Sequence, residues 1–289
     1  MEPLFGVFPV PDAERQDAVV EQVLLADRLG LDLVGIQDHP YQRRHLDAWT
    51  LLSYLAGRTQ RVRLFPDVAN LPLRHPALLA KSAATLDRLS GGRVELGLGA
   101  GAFWEGIGAW GGPVRSGPES VDALIEAIGI IRRVWAAERG ISVDGEHYRM
   151  HGAHAGPPPA HDIGIWLGAY GPRMMRVVGR LADGWIPSLP RLPLAEVLPK
   201  QDAIDEAARK AGRDPAAIRR VANLNGVIGD GTDWLRGPAD HWVEELVKLA
   251  RDLRFDGFVA WFDDEDQLGQ TERFATEVVP AVREALAGG

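Results

Sequence analysis

The sequence predicts a (β/α)8 barrel with an insertion between the fourth helix and the fifth strand. Short apolar runs alternate with amphipathic helical stretches eight times along 289 residues. One stretch, Thr85 to Gly101, shows a whole unit: a helix closes through Leu86 and Leu89, Gly91 and Gly92 cap it, and a strand through Val94, Leu96 and Leu98 opens into glycine. An open doubly wound sheet is the alternative, but it does not need eight units, and no G-x-G-x-x-G follows the first strand. A single domain over 1–289 is expected.

In chain order, Leu4 to Phe8 is the first strand. Asp12 caps a helix carrying Val19, Val20, Val23 and Leu24 that stops at Gly30. Leu33 to Ile36 is the second strand, ending in QDHP, and a helix from about Asp47 to Gly57 puts Trp49, Leu52 and Ala56 on one face. Val62 to Phe65 is the third strand, and Pro76 starts a helix with Leu79, Ala83 and Leu86 on one stripe.

The fourth strand leads into AFWEGIGAWGGPVRSGP, whose glycines and aromatics make it a candidate lid, and then into a long helix from Val121 to Ala137. The alternation breaks over about 138–162, where Asp144-Gly145 marks a hairpin and a proline run follows. Ile163 to Leu167 is the fifth strand, with Pro172 at the first position of the next helix. A short strand at Trp185, a helix from about Ala195 to Gly212, and a strand within Val221 to Ile228 follow. A helix carrying Val243, Leu246, Val247 and Ala250 comes next, then the eighth strand from Phe258 to Phe262 and a last helix running to the C-terminus.

Composition narrows the function. A net charge of -8 argues against nucleic acid and anionic membranes as partners. The chain has no cysteine, which excludes thiolate nucleophiles, disulfides and cysteine-ligated metals. The four lysines all fall in helices or their approaches, so no Schiff-base lysine is aimed from a strand end. Met1 leads at once into the strand-like LFGVF without a signal-peptide pattern, and a cytoplasmic location is expected.

A parallel barrel gathers reactive side chains at the carboxyl ends of its strands. Those ends are Phe8, Asp38 with His39, Asp67 to Asn70, Gly99 to Gly101, Gly168 to Gly171, Trp185 with Pro187, Asn225 and Trp261. The set is poor in metal ligands, and no metal is assigned. His147, His151, His154 and His161 are interleaved with glycine and proline in the insertion and are expected on a solvated loop. Arg74, Asp87 and Arg88 are expected in helix-end ion pairs.

The bare glycines Gly97, Gly99 and Gly101 either relieve crowding at a barrel corner or let a flat cofactor reach the backbone. In GAYGPR, Gly171 and Pro172 leave free N–H groups and a positive dipole end at a helix start, with Arg173 nearby. The two together describe a phosphorylated planar cofactor.

Three segments, LDLVGIQDHP, NLPLRHPALLAKSAATLDRLSGGRVELGLGAG and IWLGAYGPRMMRVVGRLADGWIP, resemble the hallmark segments of the luciferase-like monooxygenase family. Members use flavin mononucleotide (FMN) or its deazaflavin relative, coenzyme F420. The resemblance implies a TIM barrel, a cofactor at the carboxyl ends of the strands and a homodimer. It further implies cofactor contacts from Asp38, Asp67, Val68, Asn70, Gly99, Ala100, Gly101, Tyr170, Gly171, Pro172 and Arg173, with a non-proline cis peptide at Asp67-Val68.

The Asp-His pair after the second strand resembles the hydride-transferring deazaflavin branch, which makes His39 the acid or base. The sugar-phosphate dehydrogenase branch has an acidic residue after the glycines of the fourth strand, and Ala102 stands there instead. Tyr41, Phe103, Trp104 and Trp110 point to an apolar or ring-bearing substrate. The implied activity is hydride transfer between F420 and a small organic molecule. An FMN-dependent monooxygenase and a non-catalytic flavin-binding protein are the rivals.

Overall fold

A computed structural model describes residues 2–288. Eight parallel strand positions close into a barrel: β1 (Leu4–Val7), β2 (Leu33–Ile36), a broken third position made of β3 (Arg63–Pro66) and β4 (Ala69–Asn70), and β5 (Leu96–Gly99). A hairpin of β6 (Ile141–Asp144) and β7 (Arg149–Ala153) stands outside the barrel. The remaining positions are β8 (Ile165–Leu167), β9 (Gly184–Trp185), β10 (Arg219–Ile228) and β12 (Gly257–Phe262), with the short β11 (Arg236–Gly237) paired to the end of β10.

β12 pairs with β1 through Leu4 and Gly257, which brings the two ends of the chain together. The break at the third position serves the closure. β3 pairs with β2 through Ile36 and Pro66, and β4 pairs with β5 through Ala69 and Leu98. A lone parallel bridge from Leu64 to Val94 joins the lower halves of the same strands. Between β3 and β4 lies a bulge containing the expected cis peptide, Asp67-Val68.

Leu4, Leu33, Phe65, Trp166, Ile186, Val221 and Val259 form a buried cluster distinct from the larger core that the helices share with the strands. The barrel helices are α1 (Gln16–Leu29), α2 (Ala48–Ala56), α3 (Pro76–Ser90), α5 (Gly117–Trp135), α6 (Pro172–Leu181), α7 (Val197–Lys210) and α8 (Ala239–Arg251). α5 starts four residues earlier than its apolar pattern predicts, because Ser116 and Glu119 make a capping box. The expected last helix is α9 (Gln267–Arg273), a π turn over Phe274–Val278, and α10 (Val279–Ala287). Pro280 has no N–H to give the carbonyl four residues back, which accounts for the irregular turn just before it. The C-terminal Gly289 lies outside the described residues.

The loop after the fourth strand and the insertion are both more ordered than their composition suggests. The candidate lid contains a helix, α4 (Trp104–Ala109), anchored by the fully buried Ile107. The insertion is docked as well: Glu126 of α5 accepts the N–H groups of Glu146, His147 and Tyr148 at 3.0–3.1 Å. His161 is half-buried and bonded through Nδ1 to the buried Asp87 at 2.8 Å, so it does not lie on a solvated loop. Asp87 lacks side-chain solvent contact and also accepts the N–H of Ala160 at 2.7 Å. No helix is long and apolar enough to cross a membrane among the described residues.

Candidate active site

Because every barrel strand runs the same way, their carboxyl ends converge on one cleft of about 500 Å³. Its rim is aromatic. The His39 ring stacks on Tyr41 at 5.3 Å and meets Phe103 edge-on at 5.3 Å, while Trp261 packs on Phe8 from the neighbouring strand at 6.4 Å. The Arg191 guanidinium lies 5.9 Å from the Phe103 ring centroid. Exposure falls from 42% at Phe103 and Trp261 to 7% at Asp67, so the bulge is the deep part.

Burial disfavours the imidazolium, and the positive charge of His45 adds to it, so the His39 pKa is pushed down to about 4. His39 is therefore neutral at physiological pH. Burial pushes the Tyr41 phenol up to about 12, which keeps it protonated. Asp38, beside His39, is 1% exposed. Its two oxygens accept a bidentate pair of bonds from Arg74, both at 2.7 Å, and Oδ2 also accepts the Asn70 N–H at 2.9 Å. Asp38 thus lines the cleft with its oxygens already engaged by protein donors. Arg74 is no simple helix-end partner: it also reaches Asp47, the N-cap of α2, at 2.7 Å.

The glycines of β5 make room for the bulge. A Cβ on Gly97 would stand 2.1 Å from the Pro66 carbonyl oxygen, and one on Gly99 would stand 2.7 Å from Val68 Cγ2. A Cβ on Gly168, after β8, would meet both Val68 methyl groups at 3.3 Å. The side-chain space that these residues vacate is filled by Val68. Gly101 takes φ of +103° and its open side is covered by Trp104 and Pro72. Gly171 alone of the glycines predicted to touch the cofactor faces open space, at an α6 N-terminus without a side-chain cap.

Of the sequence-predicted residues, the cleft brings together His39, Tyr41, Phe103, Asp38, the Asp67-Val68 bulge and Asn70. Gly99, Ala100, Gly101, Tyr170 and Gly171 complete the set. Pro172, Arg173, Trp104 and Trp110 do not line it. Arg173 donates to the Pro118 carbonyl at 3.0 Å and pairs with Asp122 of α5, and Trp110 is 62% exposed.

The residues present fit a planar, phosphorylated group. Asp67 Oδ2 and Asn223 Oδ1 are buried in the deep wall without protein partners, and the uncapped N-terminus of α6 offers N–H groups and positive potential at the other end.

The model of the luciferase-like monooxygenase family matches residues 5–284. The chain belongs to this family. Among its relatives, an F420-dependent glucose-6-phosphate dehydrogenase of Intrasporangium calvum is 34% identical over 71% of this chain and 64% of its own. A 5,10-methylenetetrahydromethanopterin reductase of Archaeoglobus fulgidus is 32% identical over 84% of this chain and 70% of its own. The chain thus spans just under two thirds of the first of these relatives and slightly more of the second. The luciferase-like fold is matched over nearly its whole length by an F420-dependent secondary alcohol dehydrogenase in complex with an F420-acetone adduct. That match has a TM-score of 0.85 and 19% identity over 98% of this chain and 99% of the other.

In this luciferase-like barrel, sequence reasoning missed Ser120 of α5, Ser188, Arg191 and Asn223. Only Asn223 carried a local signal. It is a polar residue amid the apolar residues of β10, and Asn225, the residue singled out instead, bonds to the Trp261 carbonyl at 3.4 Å.

Proposed function

We propose that this protein is an oxidoreductase that transfers a hydride between F420 and a small organic substrate, with His39 exchanging the accompanying proton. The observation that carries the proposal is a neutral imidazole held by aromatic rings at the rim of a cleft whose deep wall is polar. A deazaflavin, when bound, supplies a carbon centre that gives or takes hydride. The rest is the work of this chain's residues. The free N–H groups in the first turn of α6, beside Gly171, would hold a phosphate, the bulge at Asp67-Val68 and the backbone from Gly99 to Gly101 would support the ring, and Tyr41 and Phe103 would exclude water from the reacting face. Neutral His39 would accept the hydroxyl proton of an alcohol, and in the reverse direction its protonated form would return that proton to a carbonyl oxygen. The relatives named for F420 support this choice of cofactor. The proposal includes a cytoplasmic location and a homodimer.

The test is titration of the apoprotein with F420 and with FMN, followed by exposure of each reduced complex to air. Tighter binding of F420 and slow reoxidation are expected. Tight FMN binding with rapid oxygen-dependent reoxidation, and no F420 binding, would assign the chain to flavin monooxygenation. Binding without turnover of any alcohol or carbonyl compound would make it a cofactor-binding protein.

A further inference from the structure

Half of the Asp67 carboxyl group has no partner in the protein. Oδ1 accepts a bond from Asn223 Nδ2 at 3.0 Å, a strut that crosses the barrel from the bulge after β3 to β10 on the opposite wall. Oδ2 is buried and bonded to nothing in the protein. It occupies space that Gly35 of β2 leaves free, since a Cβ there would come within 3.0 Å of both Asp67 Cβ and Oδ2. The sequence thus keeps a glycine on one strand and an asparagine on another around this carboxyl group. An ionised carboxylate with one neutral hydrogen bond is poorly stabilised in such a place, whereas a neutral acid needs only an acceptor for its proton.

We propose that Asp67 serves the cofactor as a neutral acid beneath the ring, so that cofactor binding takes up one proton and weakens as Asp67 ionises. The proposal rests on the cofactor assignment above. A planar ring seated on the bulge would cover the 7% of Asp67 that stays exposed, and ring carbonyl or nitrogen acceptors would suit the Oδ2 proton. FMN and F420 rings share those acceptors. Burial already pushes the Asp67 pKa up to about 7, with the Asn223 bond only partly offsetting it, so further covering moves it higher still.

The neighbouring groups leave this titration exposed to view. Gly35 and Asn223 carry no charge, and Tyr170, whose pKa is raised first by burial and also by Asp67, stays protonated. Asp38 is paired with Arg74, His39 is neutral above about 4, and Tyr41 is neutral below about 12. Arg191 is exposed at the rim.

The experiment measures FMN and F420 affinity for the apoprotein between pH 6 and 8 in the wild type and in Asp67→Asn, which keeps the shape and a donor but cannot ionise. Any pH dependence that remains in Asp67→Asn belongs to the cofactor and is subtracted. The expected result, with whichever cofactor binds, is about ten-fold weaker wild-type binding at pH 8 than at pH 6 after that subtraction, as one linked proton that titrates near 7 in the free protein requires. Asp67→Asn should bind at the wild type's low-pH strength throughout. Carbon-13 NMR of the Asp67 carboxyl group reads its protonation directly and should show a neutral acid in the complex at pH 7. Identical pH dependence in the two proteins, or an ionised Asp67 in the complex at pH 6, overturns the proposal. Failure of the wild type to bind F420 or FMN overturns the cofactor assignment and this proposal with it, loss of binding in Asp67→Asn alone overturns only this proposal, and wild-type binding of FMN alone overturns only the choice of F420.

Discussion

An imidazole that burial keeps uncharged has its acceptor nitrogen free of a proton above about pH 4, and His39 owes that state to the rings that bury it. His39→Ala is expected to lower turnover by about 10²-fold or more, the usual worth of a positioned acid or base, while cofactor affinity stays within a few fold. Steady-state kinetics beside a cofactor titration separates the two effects, and unchanged turnover removes His39 from the mechanism. A second signature concerns stability. The folded-state pKa of about 4 lies below the ordinary value of 6.5, so the unfolded chain binds the extra proton between these limits. The contribution of neutral His39 is therefore full above pH 6.5 and is lost as pH falls toward 4. Thermal melts should show the wild type losing more stability than His39→Ala across that window.

Arg74 ties three elements together, and its role shows where local pattern stops being informative. One guanidinium spans Asp38 at the end of β2 and Asp47 at the start of α2, while Asp38 also receives the N–H of Asn70 from β4. Arg74→Ala leaves Asp38, 1% exposed, as an uncompensated buried carboxylate. The expected cost is about 3–5 kcal/mol, read from denaturant unfolding, with Arg74→Lys intermediate because it keeps the charge but loses the planar fork. A loss under about 1 kcal/mol would mean that water replaces the guanidinium. The Asp38-His39 pair was legible as a strand end because apolar Leu33 to Ile36 precede it. Its partner was not, since 36 residues separate Arg74 from Asp38 and an arginine ahead of a helix looks like an ordinary end-pairing residue. Arg173 shows the converse: its place beside a helix start suggested a phosphate ligand, but the carboxylate that holds it, Asp122, comes from the preceding helix.

At the scale of the barrel, the order of strands and helices was legible because each unit announces itself locally, whereas the purpose of the glycines depends on which strands become neighbours. Gly97 and Gly91 lie six residues apart and illustrate the two cases. Gly91 caps α3 at φ of +74° with open space where a side chain would go. Gly97 is an ordinary strand residue in β5, yet its Cβ would stand 2.1 Å from the Pro66 carbonyl. Gly91→Ala is expected to cost about 1–2 kcal/mol for a left-handed alanine and to leave cofactor affinity unchanged. Gly97→Ala has no comparable freedom, because β5 is held by β4 on one side and β8 on the other, so the bulge itself has to move. Overpacking of this kind costs typically 1–3 kcal/mol, so the two variants overlap in stability. Cofactor affinity separates them: Gly97→Ala should weaken binding by about ten-fold or more, the equivalent of roughly 1.4 kcal/mol, because the displaced residues include Asp67 and Val68 of the cleft. Denaturant melts and cofactor titrations on both variants decide the matter, and equal affinities would show that the barrel absorbs the added methyl group without moving the bulge.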